Sequence, residues 1–314
     1  MYYPYFRGKQ FELIAIRELA NTLADSGFTP IIEPVKESLS GLERTLDAVC
    51  AAGGRAIVIT NPIHGDHRSD GRSIKELLED NYRGNDAIRS GFLLRSETTL
   101  QEAIVGLGGT STPSVLIHTG FVDAKPLAQA IESEFDESIN VFVELQSSAL
   151  YRRNFLSSER IIIHDGFVRM KNSAYGEIDR FSDRHILFEE MGMTGYGDFL
   201  TVGDNYSEGG GPAYAVAIHL TFINPESDDE MFVYHFISDS NDTPTDPAGK
   251  FGQALNKLMV RLDSGASYLY ETSAIKEFRD LHSRGHFPGL GFIKKLSIKH
   301  HIETLAEYHE NQVN

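Results

Sequence analysis

Cysteine is nearly missing from this chain: Cys50 is the only one in 314 residues. A single thiol excludes an internal disulfide framework and any multi-thiolate metal site. Cys50 lies in LERTLDAVC, on the apolar stripe of an expected helix, where a thiol without an electropositive neighbour is inert. It is read as structural. Long apolar runs are missing too, and none approaches the ~18 residues of a membrane span. The opening MYYPYFRGKQFELIAI has neither a basic leader nor a continuous apolar h-region, so no secretory signal is expected. The expectation is a cytoplasmic protein with no membrane partner. Positive charge is scarce, with 29 Lys and Arg against 45 Asp and Glu, a formal charge of -16. That balance argues against broad binding to a nucleic-acid backbone, while leaving room for a local basic site or a basic protein partner.

Diagnostic motifs are equally sparse. There is no GxSxG elbow, no HExxH and no Cys/His zinc spacing, which lowers serine hydrolysis and zinc peptidase chemistry. GDNYSEGGGPAY is Gly-rich, yet no G-K-[ST] follows it, and it lacks the strand–GxGxxG–helix setting of a dinucleotide fold. It reads as an anion cradle, a tight turn or a lid. SDSNDTPTDPAGK carries Asp239, Asn241, Asp242 and Asp246, without the order or the terminal Glu of an EF-hand. Asp246-Pro247 is a helix start, with Asp as the cap.

What is present is a rhythm. Tyr2 to Phe6, TPIIEPV, AIVITN, GFLLRS, SVLIHT, NVFVEL and RIIIHD are short runs, most of them continuously apolar, separated by helical patterns. Strands of this kind are buried on both faces of a parallel sheet. A doubly wound sheet competes, but the units continue past six without a linker, so the expected fold is α/β, a (β/α)8 TIM-barrel-like scaffold. Residues 1–314 are taken as one domain with an elaboration at 166–250 and extra C-terminal helices over 271–310. Within the elaboration, Ala213–Ile223 and Met231–Ile237 read as a β-hairpin, with one or both strands completing the barrel sheet.

The functional face of such a barrel is the C-terminal end of its strands. Reading each strand end gives Glu33, Asn61, Arg95, His118, Glu144, His164 and Asp165, followed on the hairpin by His235, Ser238 and Asp239. Glu33, His118, Glu144, His164 and Asp165 are the candidate catalytic residues, placed beside buried runs where a pKa can be tuned. Arg95 and Asn61 are candidate substrate contacts. Glu144, Asp204, Asp239 and Asp242 are candidate ligands for a divalent ion, Mg or Mn; Asp198 is a further acid–base or metal candidate. RGHFPGLGFIKKLSIKHHIETL is locally basic, and a helix over FIKKLSIKHH would offer Lys295, Lys299 and His300 to a phosphate or a nucleic-acid end. The alternative is a solvated helix face.

The phrases YYPYFRGKQFELIAIREL, TPIIEPVK, GYGDFLTVGDNYSEGGGPAYAVAIHLT, YHFISDSNDTPTDPAGKF and RGHFPGLGFIKKLSIKHHI span nearly the whole chain. Together they resemble an uncharacterised bacterial family related to the phage "beta protein" group. The resemblance implies a TIM-barrel-like scaffold, a setting in mobile elements or anti-phage defence, and a small nuclease-like protein encoded nearby as partner. It implies no activity and no site residues. The leading expectation is an enzyme, a divalent-metal-dependent hydrolase acting on a phosphate-bearing or nucleotide-like substrate. A non-catalytic scaffold or regulatory partner of a nuclease or toxin is the rival, and a nucleic-acid-binding module using the C-terminal basic stretch is third.

Overall fold

The computed structural model describes residues 1–108, 114–134, 138–209, 211 and 213–313. The seven expected runs all form parallel strands of one sheet: β1 (Tyr5–Phe6), β2 (Ile31–Ile32), β3 (Ala56–Ile59), β4 (Ile88–Arg95), β5 (Ser114–Thr119), β6 (Ile139–Val143) and β7 (Glu159–His164). A further strand, β8 (Ile178–Ser182), belongs elsewhere, and the eighth barrel strand is β9 (Gly195–Asp198). Beyond β9 the ring is drawn nearly shut. Tyr3 N donates to Tyr196 O at 2.8 Å, and Tyr196 N donates to Met1 O at 3.0 Å. The result is a TIM-barrel-like α/β fold.

Strand pleating divides the apolar residues between two layers. Ile31, Ile57, Ile59, Leu93, Val115, Ile117, Val141, Ile161 and Ile163 meet inside the barrel with Tyr3, Tyr5 and Phe199. The alternate residues face the surrounding helices. These are α1 (Gln10–Glu18), α2 (Ala20–Asp25), α3 (Ser40–Ala51), α4 (Arg72–Asn81), α5 (Leu100–Gly108), α6 (Ala124–Glu134), α7 (Ala149–Arg152) and α8 (Arg184–Leu187).

The hairpin does not complete this sheet. β10 (Ala217–Asn224) and β11 (Glu230–Ile237) pair with β8 in a separate antiparallel sheet of order β10-β11-β8. β9 takes the closing place because its glycines permit close approach: a Cβ on Gly197 would lie 2.0 Å from Tyr3 O. A four-residue strand with two glycines lacks the apolar run by which strands are recognised.

Where one elaborated domain was expected, the chain groups into two compact units, one of Met1–Asp165 with Arg184–Phe199 and the other of Gly166–Asp183 with Leu200–Asn314. The second unit has its own core. Ile218, Leu220, Phe222, Tyr234 and Phe236 on one sheet face pack with Phe251, Leu255, Leu258, Ile275 and Phe278, supplied by α9 (Pro247–Asp263) and α10 (Ser273–Arg284). Asp246 caps α9 as its sequence implies, accepting from Gly249 N at 2.9 Å. α11 (Leu290–Val313) closes the chain. Among the described residues, no helix is long and apolar enough to cross a membrane.

Candidate active site

Glu33 lies just past β2, two residues after Ile31, so the pleat carries it to the inner side, at the C-terminal end of the strands. Its carboxylate is fully buried and accepts hydrogen bonds at both oxygens. Oε2 accepts from Tyr5 Oη at 3.0 Å and from Arg7 Nη1 in a very short ion pair. Oε1 accepts from Ile63 N at 2.9 Å, His64 N at 3.1 Å and His64 Nδ1 at 3.0 Å. Burial pushes this carboxyl up, but the His64 hydrogen bond and the Arg7 charge outweigh it and hold the pKa at about 2. An ionised carboxylate only accepts, so His64 carries its hydrogen on Nδ1 and presents Nε2 as the basic nitrogen. The His64 side chain keeps 24% of its surface exposed.

Two glycines let the loops converge on this group. Gly8 has φ +61°, and a Cβ there would lie 2.8 Å from Glu33 O; Gly65 has φ +73°, and a Cβ there would lie 2.1 Å from Val35 O. Only glycine satisfies both the left-handed backbone and the close approach. The Arg7 guanidinium also lies over the Tyr5 ring at 4.8 Å and the Phe199 ring at 5.2 Å, fixing it further.

A second arrangement of the same design lies just beyond β6 and β7. Glu144 Oε2 accepts from His164 Nδ1 at 2.8 Å, and Arg184 grips both oxygens, with Nη2 to Oε1 at 2.8 Å and Nε to Oε2 at 3.1 Å. Burial raises the Glu144 pKa, while the His164 and Arg184 hydrogen bonds prevail and bring it to about 2. Arg184 opens α8, the point where the chain returns to the barrel unit.

The other strand-end candidates separate according to the pleat. His118 alternates with Val115 and Ile117 and so faces outward, fully buried among Phe142, Tyr151 and Phe155. Its Nε2 lies 3.0 Å from Asn140 Oδ1 and its Nδ1 lies 2.6 Å from Tyr151 Oη. Burial pushes it down to about 3, against the Asn140 hydrogen bond. His118 is a neutral member of the helix-facing layer, away from the inner mouth. Asn61 spends its amide on the neighbouring strand, accepting from Leu93 N at 2.8 Å and donating to Leu93 O at 3.0 Å. It extends the β3–β4 ladder instead of offering itself to a substrate. Arg95 is half-exposed beside Glu97, 3.1 Å from its carboxylate. Asp165 follows Ile163 by two, on the inner side of the strand. Asp198 is buried and accepts from Tyr2 Oη at 2.9 Å.

The proposed metal ligands are not assembled. Glu144 belongs to the barrel unit, and Asp204, Asp239 and Asp242 belong to the other. Asp239 pairs with Lys257 at 2.6 Å, and Asp242 is exposed. Among the described residues, no three His, Cys, Asp or Glu side chains come together to hold a metal. Gly210 and Pro212 of the Gly-rich loop lie outside the described residues.

The C-terminal basic stretch is helical as expected but turned inward. Lys295, Lys299 and His300 are buried. Lys295 Nζ sits 3.9 Å from the centre of the Phe292 ring, and Lys299 Nζ lies 3.9 Å from Glu277. His300 uses both nitrogens: Nδ1 with Thr272 Oγ1 and Nε2 with Thr221 O, each at 2.9 Å. Ile293, Leu296, Ile298, Ile302 and Leu305 are buried around the same helix, so the stretch reads as packing rather than as a landing site for a nucleic-acid end.

Sequence reasoning missed Tyr5, Arg7, His64 and Arg184. Tyr5 and Arg7 carried a usable signal, since they alternate with Tyr3 along the first strand and reach the same inner side as Glu33. His64 and Arg184 sit in a loop and a short helix, where no periodicity points to them. Compared with protein-family models and with curated proteins, the chain matches none.

Proposed function

We propose that the chain is an enzyme acting on a phosphate-bearing or nucleotide-like substrate by general acid–base catalysis at the C-terminal end of the barrel strands. The observation that carries this is the pairing of His64 with a buried Glu33 whose carboxyl is held well below the usual carboxylate range. A carboxylate on Nδ1 fixes the tautomer and orientation of an imidazole, leaves Nε2 to take the proton, and stabilises the imidazolium that forms. Glu33 is therefore a positioning residue, and His64 the group that exchanges the proton. His164, held in the same way by Glu144, is the second proton-transferring candidate, and Arg95 is the cation placed to hold an anion. This reading assigns no step to a metal. A setting in anti-phage or mobile-element defence rests on the family resemblance.

The test is turnover of p-nitrophenyl phosphate, bis(p-nitrophenyl) phosphate and a panel of nucleotides. Wild type is expected to hydrolyse at least one of these. His64→Gln should lower kcat by about 10²–10⁴-fold while circular dichroism shows the protein still folded. Activity that survives His64→Gln, or no turnover of any phosphate ester, removes the proposal.

Four apolar side chains favour a second reading, the scaffold or regulatory partner. Val122, Leu145, Leu150 and Leu156 of the barrel unit are 69%, 84%, 72% and 64% exposed, apolar surface that a docked partner would remove from water. The small nuclease-like protein is the partner proposed. Mixing the two should give a complex in size-exclusion chromatography that is lost in Leu145→Ser/Leu150→Ser. Absence of a complex with wild type rejects this alternative.

A further inference from the structure

The second unit contains a pair of imidazoles that the proposed reaction does not use. His219 on β10 and His235 on β11 are directly opposed across the strands, with their Nδ1 atoms 2.6 Å apart. His235 N donates to Glu177 O at 2.9 Å, toward the β8 side. The His219–His235 pair is thus of the kind not bridged by backbone hydrogen bonds, in which opposed side chains come closest. Aromatic rings wall the pair. Tyr175 stacks on His235 at 4.4 Å, and Phe167 meets His219 edge-on at 5.0 Å.

The far side of His235 fixes its tautomer. Its Nε2 lies 3.1 Å from Asp179 Oδ2, within ion-pair distance though off the line of a straight hydrogen bond. A carboxylate takes a hydrogen and offers none, so Nε2 carries it and Nδ1 is a lone pair. With His219 carrying its hydrogen on Nδ1, that lone pair accepts a hydrogen bond across the 2.6 Å gap; with the hydrogen on Nε2, two Nδ1 lone pairs face one another, the arrangement that two imidazoles offer to one metal ion.

We propose that His219 and His235 form a two-imidazole site for a divalent transition metal, with water completing the coordination and Asp179 orienting His235 from its far nitrogen. Imidazole nitrogen suits zinc, copper(II) and nickel, whereas the hard ions magnesium and calcium prefer oxygen. The site is therefore chemically distinct from the oxygen-rich Mg or Mn site expected of the acidic loops. Metal–nitrogen bonds of ~2.1 Å at a tetrahedral angle place the two nitrogens ~3.4 Å apart, an opening of less than ~1 Å that small side-chain rotations supply. Burial, then the neighbouring His235 and Lys294, push the His219 pKa down to about 3, so the ring is neutral, the form that binds a metal. Asp179 acts as the outer-shell carboxylate that commonly orients a metal-bound histidine. Lys294 opposes a cation near His219, and two protein ligands make the site one of modest affinity.

The test uses the full chain stripped of metal, titrated calorimetrically at neutral pH with Zn²⁺, Ni²⁺ and Cu²⁺, with electron paramagnetic resonance of the copper form. One equivalent is expected to bind, with two nitrogen donors in the copper spectrum. His219→Gln and His235→Gln should each weaken it at least tenfold. Asp179 has a side chain 43% exposed, and Asp179→Asn should weaken binding by about 10- to 100-fold while the protein stays folded. Lys294→Gln should tighten it. If a glutamine variant fails to fold, the opposite shifts of the Asp179 and Lys294 variants decide, and no shift in either overturns the proposal. So does the absence of stoichiometric binding by wild type, which leaves the pair holding a proton only. Binding that survives in the histidine variants, or that His164→Gln abolishes instead, places the metal elsewhere and equally refutes it.

Discussion

Glu33→Ala is expected to lower the unfolding free energy of the barrel unit by about 3–5 kcal/mol, the cost of removing one partner from a buried ion pair. The carboxylate is fully buried, so little solvent screening discounts that figure. Its loss removes the Arg7 ion pair and the acceptor shared by Tyr5 Oη and the backbone N–H groups of Ile63 and His64. Glu33→Gln should recover only part of the loss. Its amide nitrogen must face either the Arg7 and Tyr5 donors or the Ile63 and His64 donors, so one set of contacts becomes donor against donor. The loop carrying His64 is anchored to Glu33 by three hydrogen bonds, so it should also become the preferred site of proteolytic cleavage. Denaturant unfolding followed by circular dichroism, with limited proteolysis, measures both effects. A cost below about 1 kcal/mol for Glu33→Ala would place the carboxylate in water, at odds with its burial.

How much of this was legible in the sequence depended on whether a residue belonged to a repeating pattern. Seven barrel strands were visible because parallel strands buried on both faces are continuous apolar runs. The eighth was invisible because GYGD earns its place through close backbone approach at Gly197, which leaves no apolar signature. Glu33, Glu144, His164 and His118 were all candidates, and parity separates His118 from Glu33, which follows inward-facing Ile31 by two. Val115 and Ile117 face the barrel interior, so His118, on the even positions, must face the helices. The same period puts His164, next to inward-facing Ile163, on the outward positions too, so its pairing with Glu144 does not follow from the pleat. The partners that give the site its chemistry were less accessible, since the contact of His64 with Glu33 joins residues 31 positions apart through a loop. The C-terminal lysines misled for a different reason. Long side chains can lay their stems on apolar surface and reach a ring or a carboxylate, and Lys295 and Lys299 do so on a helix buried on several sides.

Acid should weaken the folded protein well before its carboxylates titrate. His118 is held neutral by burial, with its pKa lowered to about 3, and burial lowers His300 to about 4 against the hydrogen bond to Thr221 O. For an imidazole whose folded pKa is depressed, the unfolded chain binds the proton first. The stability is therefore complete above the ordinary value near 6.5 and is lost as pH falls toward the folded value. Between pH 6.5 and 4.5, His118 alone should remove about 2–3 kcal/mol from the barrel unit, and His300 a similar amount from the second unit. Glu33 and Glu144 have the opposite placement. Their folded pKa values are near 2, so their contribution is present above about 4.5 and is lost from there down to 2. The windows overlap below about pH 4.5, so the interval from 6.5 to 4.5 isolates the imidazole effect. His118→Gln keeps an acceptor for Tyr151 and a donor for Asn140 but cannot take a proton. It should sit below wild type at pH 7 and fall by about 2–3 kcal/mol less between pH 7 and 4.5. Denaturant titrations of both proteins at the two pH values give the comparison directly. Equal losses in wild type and variant would mean that His118 accepts a proton without unfolding, and that the outward layer of the barrel is open to water at that position.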